Sequence, residues 1–150
     1  MKHALIARLT QALAIPAIAI TLQTIATPAR AQNNLYNPSL LPPSGEVNGT
    51  LSEEDIPTGQ GGFAHDYLVQ LEEGDQITID VLSDSFDTIV SLMTPDGLTI
   101  AENDDGLDGT TNSLLFARIT RSGTYIVRVR AFGAAGSGPF DLKVTRLRPI

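Results

Sequence analysis

An all-β, antiparallel two-sheet sandwich is the fold class that this sequence predicts, and three observations predict it. Short β-prone runs recur along the chain: Glu46 to Leu51, Phe63 to Leu71, Gln76 to Leu82, Phe86 to Met93, Leu98 to Glu102, Ser113 to Ile119, Thr124 to Phe132 and Pro139 to Leu147. They amount to about eight strands. Several alternate cleanly, with Ile77, Ile79 and Val81 against Thr78 and Asp80, Tyr125, Val127 and Val129 against Arg128 and Arg130, and Phe140, Leu142 and Val144 against Asp141 and Lys143. Such a period of two puts one face on a core and the other in water. The joints are turn formers, Glu72-Glu73-Gly74-Asp75, Pro95-Asp96-Gly97, Arg121-Ser122-Gly123 and the glycine-rich Gly133 to Gly138, and no helical period is sustained after residue 31. A jelly-roll-like sandwich follows.

The N-terminal segment stands apart from this pattern. Lys2 and Arg8 precede an apolar stretch from Ala12 to Ile25, broken by Pro16, and Ala29-Arg30-Ala31 forms a small-x-small cleavage site before Gln32. Residues 1–31 are expected to be a secretory signal peptide. A membrane anchor needs about twenty predominantly apolar residues, and Gln11, Pro16, Thr21, Gln23 and Thr24 interrupt the run. The expectation is an exported protein, secreted or periplasmic, with no membrane anchor after cleavage. Residues 32–45, with Asn33, Asn34, Asn37, Pro38, Pro42, Pro43 and Gly45, read as a flexible leader, and residues 46–148 as the domain.

Within the domain, each joint has its reason. Thr94-Pro95-Asp96-Gly97 supplies a preset φ, a short acceptor side chain and a residue free to take φ > 0, which makes Phe86 to Ala101 a hairpin. The chain has no Cys, so an exported domain of this kind is held by packing alone, or by packing and a bound ion. Its charge is uneven. Ala31 to Ala117 carries sixteen acidic residues and no Lys or Arg, while all seven basic residues after the signal lie from Arg118 onward. Removing the three positive charges of the signal turns the whole-chain charge of −7 into −10. Nucleic acid is excluded as a partner by that balance.

In order along the chain, Gly49-x-Leu51, Asp66-Tyr67, Ile77-Thr78-Ile79-Asp80, Phe86-Asp87-Thr88, Pro95-Asp96-Gly97, Asn103-Asp104-Asp105, Asn112-Ser113, Gly123-Thr124-Tyr125 and Gly138-x-Phe140-x-Leu142-x-Val144 resemble the bacterial pre-peptidase C-terminal domain. The resemblance spans Glu46 to Arg146. Val69 departs from it where an aromatic is usual, and Phe140 where Tyr is usual. It implies a jelly-roll-like sandwich, usually appended to secreted peptidases and without catalytic residues of its own. Related modules assist secretion, are trimmed off, bind calcium or dock onto insoluble substrates.

The residues themselves also argue against catalysis. His65 is the one His after the signal, and it shares strand parity with Phe63, Tyr67 and Val69, so it reads as a structural group that points inward or caps the sheet edge. No Gly-x-Ser-x-Gly elbow supplies it with a nucleophile. Asp84-Ser85 and Asp87-Thr88 are followed by Phe86 and Ile89, not by the glycine that an aspartic-protease loop needs. Zinc-type His pairs, a Cys nucleophile and a phosphate-cradling loop are all missing from the sequence.

Two surfaces remain as candidate sites. Glu102, Asn103, Asp104, Asp105, Asp108 and Asn112 crowd oxygens into one loop beside Gly106 and Gly109, a set that suits a hard cation, and calcium is the one cofactor expected. The spacing is not that of an EF-hand, and Asx turns account for the same residues without a metal. Glu53, Glu54, Asp55 and Asp66 form a second acidic group. Strand alternation also puts Phe116, Arg118, Ile126, Arg128, Arg130 and Lys143 outward, a basic strip suited to an extracellular protein or an envelope polymer, or a solvated face with Arg stems over neighbouring methyls. The function expected is a non-catalytic binding module, with a purely structural or secretion-assisting domain as the alternative and a small secreted hydrolase third.

Overall fold

The computed structural model describes residues 36–59, 61–106 and 109–147, so the expected signal peptide lies outside the described residues. Ten strands follow one another: β1 (Ser39–Leu40), β2 (Glu46–Leu51), β3 (Ile56–Pro57), β4 (Phe63–Leu71), β5 (Gln76–Leu82), β6 (Thr88–Met93), β7 (Thr99–Asn103), β8 (Ser113–Arg118), β9 (Gly123–Ala131) and β10 (Gly138–Leu147). They make a six-stranded sheet ordered β1-β4-β9-β6-β7, with β3 also on β4, and a four-stranded sheet ordered β2-β10-β5-β8. All pairings are antiparallel except β1 with β4. The sandwich expected from alternation is the fold.

The two strands that alternation did not single out are each two residues long, too short to show a period. Ser39–Leu40 falls in the stretch read as a flexible leader, yet it pairs with Tyr67 and Leu68, and the Leu41 amide donates to the Leu68 carbonyl at 2.9 Å. The physical reason is the edge of β4, whose outward carbonyls and amides need partners. Composition alone does not reveal an edge waiting elsewhere in the chain.

Ile77, Ile79 and Val81 of β5, Val90 and Leu92 of β6, Val127 and Val129 of β9, and Phe140 and Leu142 of β10 fill one core between the sheets. Strand β6, TIVSLM, is buried throughout, because it lies inside its sheet with β9 on one side and β7 on the other. Gly49 lets β2 approach this core: a Cβ there would lie 2.3 Å from the Phe140 ring and 2.6 Å from the Tyr67 hydroxyl. The sheets are also joined by a buried polar contact, Thr88 Oγ1 to Ser113 Oγ at 2.6 Å. At the β6–β7 hairpin, Gly97 takes φ 89° and its amide donates to the Thr94 carbonyl at 2.9 Å, the turn expected of Thr-Pro-Asp-Gly.

Candidate functional site

Register places one polar rung across the outer face of the six-stranded sheet. Asp66 of β4 lies opposite Arg128 of β9, Arg128 opposite Ser91 of β6, and Ser91 opposite Glu102 of β7. Asp66 is fully buried at its side chain, and its two oxygens accept from Arg128 Nε at 2.7 Å and Nη2 at 2.8 Å. This forked, charge-assisted pair is the strong form of an ion pair, and the Asp66 hydrogen bond raises the Arg128 guanidinium further above its already high ordinary value. The Tyr36 phenol is pushed up to about 12, first by burial and then by the Asp66 charge nearby.

The far end of the rung is as ordered. Ser91 Oγ donates to Glu102 Oε2 at 2.5 Å, and Arg130 Nη2 donates to Glu102 Oε1 at 3.0 Å. The Ser91 bond, then the Arg130 charge and bond, outweigh desolvation and hold the Glu102 carboxyl below its ordinary value. Above the rung opens a groove of about 400 Å³, lined by Ser91, Met93, Thr99, Glu102, Arg128 and Arg130, with Thr58, Phe63 and glycines 59, 61 and 133 also on its walls. Sequence reasoning missed Ser91, Met93 and Thr99. A signal for Ser91 existed: it is the one interior polar residue of the run Thr88-Ile89-Val90-Ser91-Leu92-Met93.

The basic strip expected from alternation is divided by the topology. Ile126, Arg128 and Arg130 lie on β9 in the six-stranded sheet, whereas Phe116 and Arg118 on β8 and Lys143 on β10 belong to the four-stranded sheet. Parity within a strand tells inside from outside but not which sheet the strand joins. Ile126 is only 4% exposed, because it sits directly opposite Met93 on the same outer face. Arg128 and Arg130 are spent on Asp66 and Glu102, and Lys143 lies 2.7 Å from Glu46. Phe116 stays exposed at 59%.

In the acidic loop, Glu102 is taken by Ser91 and Arg130, so its charge is compensated. The Asn103 side chain donates to the carbonyls of Asp105 and Leu114, both at 2.8 Å, and Asn112 Oδ1 accepts from the Ser83 amide at 3.0 Å. Asp104 and Asp105 are exposed, and Asp108 lies outside the described residues. Among the described residues no three His, Asp or Glu side chains converge on one point. The second acidic group is parted as well: Asp66 turns to Arg128, while Asp55 Oδ2 accepts from the Ser52 amide at 2.8 Å.

His65 stacks on Tyr67 with ring centroids 4.7 Å apart and meets Phe140 edge-on at 6.2 Å. Its Nδ1 lies 2.7 Å from Asp55 Oδ1 but out of line for a hydrogen bond, so the carboxylate acts there as a neighbouring charge. The ring is a packing group at the sandwich end, in the place expected from its parity.

Fold and face together define a two-sheet, all-β module with an ordered polar surface on one sheet. Residues 63–131, from the start of β4 to the end of β9, match the bacterial pre-peptidase C-terminal domain. Over that stretch the chain is similar to that family. The fold is similar to that of the pre-peptidase C-terminal domain of collagenase from Bacillus anthracis, 14% identical with a TM-score of 0.54 over 73% of this chain and 95% of that one. It is also similar to a periplasmic lysozyme inhibitor of g-type lysozyme from Aeromonas hydrophila, 20% identical with a TM-score of 0.50 over 68% of this chain and 84% of that one. No curated protein matches the chain. Among the described residues no helix is long and apolar enough to cross a membrane.

Proposed function

We propose that the chain is an exported, non-catalytic binding module that recognises an extracellular or periplasmic polymer or protein through the outer face of its six-stranded sheet. The observation that carries this reading is the rung Asp66–Arg128–Ser91–Glu102. Burying a carboxylate costs several kcal/mol that only a well-formed partner offsets, and here the pair lies on the outer face, away from the core between the sheets. Side chains fixed in this way present donors and acceptors at set positions, which favours recognition because little ordering remains to be done on binding. The family supports a module without chemistry of its own, and the lysozyme inhibitor is a protein of this fold named for a protein target.

The test is affinity capture from the exported fraction, with the full protein immobilised beside a Thr99→Arg variant that fills the groove. A polymer or protein identified in the captured material, rebinding in purified form to wild type and lost in the variant, is the expected result. Nothing retained above the bare matrix would leave a structural or secretion-assisting domain in its place.

A further inference from the structure

We infer that the groove on the outer face of the six-stranded sheet is a site for a neutral saccharide chain. This rests on the binding-module reading above and names its class of ligand. Charge decides first. Asp66 and Glu102 face Arg128 and Arg130, so the formal charges of these two ion pairs cancel, on a chain that carries −10 once the three positive charges of the signal are removed from −7. An anionic polymer meets repulsion from the whole domain and finds both guanidiniums already paired. A cationic ligand meets carboxylates whose charge is already compensated, Glu102 by Arg130 and Asp66 by its forked partner.

A neutral polyhydroxylated chain needs neither exchange. Each sugar hydroxyl donates and accepts, and the groove offers both functions in fixed positions. A guanidinium has five N–H donors; Arg128 spends Nε and Nη2 on Asp66, and Arg130 spends Nη2 on Glu102. The remaining N–H groups, the spare lone pairs of Glu102 and the exposed Thr99 hydroxyl are there for a ligand. Met93 and Phe63 add apolar wall to receive the C–H face of a ring. The volume of about 400 Å³ lies within the range of about 300–1,000 Å³ usual for small-ligand sites.

The experiment is calorimetric titration of the purified exported protein with cellohexaose, chitohexaose and maltohexaose, and with hexamers of galacturonic acid and of glucosamine as charged controls. At least one neutral hexamer binds and the charged controls bind more weakly. Arg130→Gln and Glu102→Gln each weaken that binding by about tenfold or more, the scale of one lost hydrogen bond to a charged group. Thr99→Arg does the same from an exposed edge position without touching an ion pair, so it stays interpretable if either charge variant melts early. No neutral hexamer bound, tighter binding of a charged control, or affinity that Thr99→Arg leaves unchanged would overturn the assignment. A protein captured and rebound by a chain that binds no saccharide overturns this inference and leaves the binding-module reading standing; retention of neither overturns both.

Discussion

Replacing Arg128 by Met is the sharpest perturbation of the outer face. It leaves the Asp66 carboxylate, fully buried at its side chain, without the fork that satisfies both of its oxygens. Breaking a buried pair in this way costs about 3–5 kcal/mol. One feature of the structure sets the lower end of that range: the Arg128 side chain is 25% exposed, so water reaches its side of the pair. The expected loss is therefore about 3 kcal/mol, or roughly 12 °C in melting temperature for a domain of this size. The double variant Asp66→Leu, Arg128→Met removes both charges together and should come within about 1 kcal/mol of wild type, since an apolar pair of similar volume replaces a buried ion pair with little net change. Urea unfolding at pH 7 followed by far-UV circular dichroism suits a chain without Trp. If Arg128→Met stays within about 1 kcal/mol of wild type, or the double variant is no more stable than the single one, the pair is an ordinary solvated contact and the argument from a buried rung fails.

Other outcomes follow from the same structure. The Tyr67 phenol is pushed up to about 12, by burial first and the Asp55 charge second. Its neutral form is thus retained in the fold after the unfolded chain ionises, so its contribution is complete below about pH 10 and is lost as pH rises toward 12. That loss amounts to about 2–3 kcal/mol, and Tyr67→Phe should flatten this part of an alkaline stability profile; an identical fall in the variant would refute the assignment. Gly49→Ala should cost about 1–3 kcal/mol by overpacking, whereas Gly123→Ala, where an added Cβ meets nothing within 4 Å, should stay within about 0.5 kcal/mol; equal midpoint shifts in urea would contradict the close approach at β2. Calcium binding to the loop with the exposed Asp104 and Asp105 has its own signature. At one millimolar, an ion bound at about 10⁻⁴ M stabilises by roughly 1.4 kcal/mol, a rise that the Asp104→Asn, Asp105→Asn variant should lose, while an unmoved wild-type melt leaves the loop to Asn103 and Asn112.

Most of the fold was legible because its strands are half-buried or wholly buried segments bounded by turn chemistry. Ile77, Ile79 and Val81 alternate with polar residues because β5 has one wet face, and Thr94-Pro95-Asp96-Gly97 specifies its turn through the φ preferences of three residues. These are local causes, and local causes are written in consecutive residues. Ser39–Leu40 was hidden because its cause is distant: an edge carbonyl on Leu68 meets Leu41, and nothing in Asn37 to Pro43 announces it. Oxygen-rich loops are ambiguous for a related reason. Asn103 and Asn112 have the chemistry of metal ligands and equally that of side chains that hold a backbone, and only their partners Asp105, Leu114 and Ser83 tell which bonds they make.

The face carrying the polar rung is a stronger case of distant cause. Arg128 and Arg130 were readable as outward residues of one strand, but their meaning depends on what the sheet sets beside them. Sequence neighbours β8 and β9 part into different sheets, so Phe116 and Arg118, close to Arg128 along the chain, face away from it across the sandwich. Asp66, separated from Arg128 by 62 positions, becomes its direct opposite through the β4–β9 register. A one-residue slip of that register would turn Asp66 to face a core residue and leave both charges without partners. The ion pair therefore penalises the misaligned pairing as well as stabilising the correct one, so the same rung that fixes the surface also helps to specify the register of the sheet that displays it. Arg128→Met should on this argument slow folding as well as destabilise the fold, because the correct β4–β9 alignment then no longer gains an ion pair that a misaligned one lacks. Stopped-flow refolding that shows the whole effect in the unfolding rate would confine the rung to the finished surface.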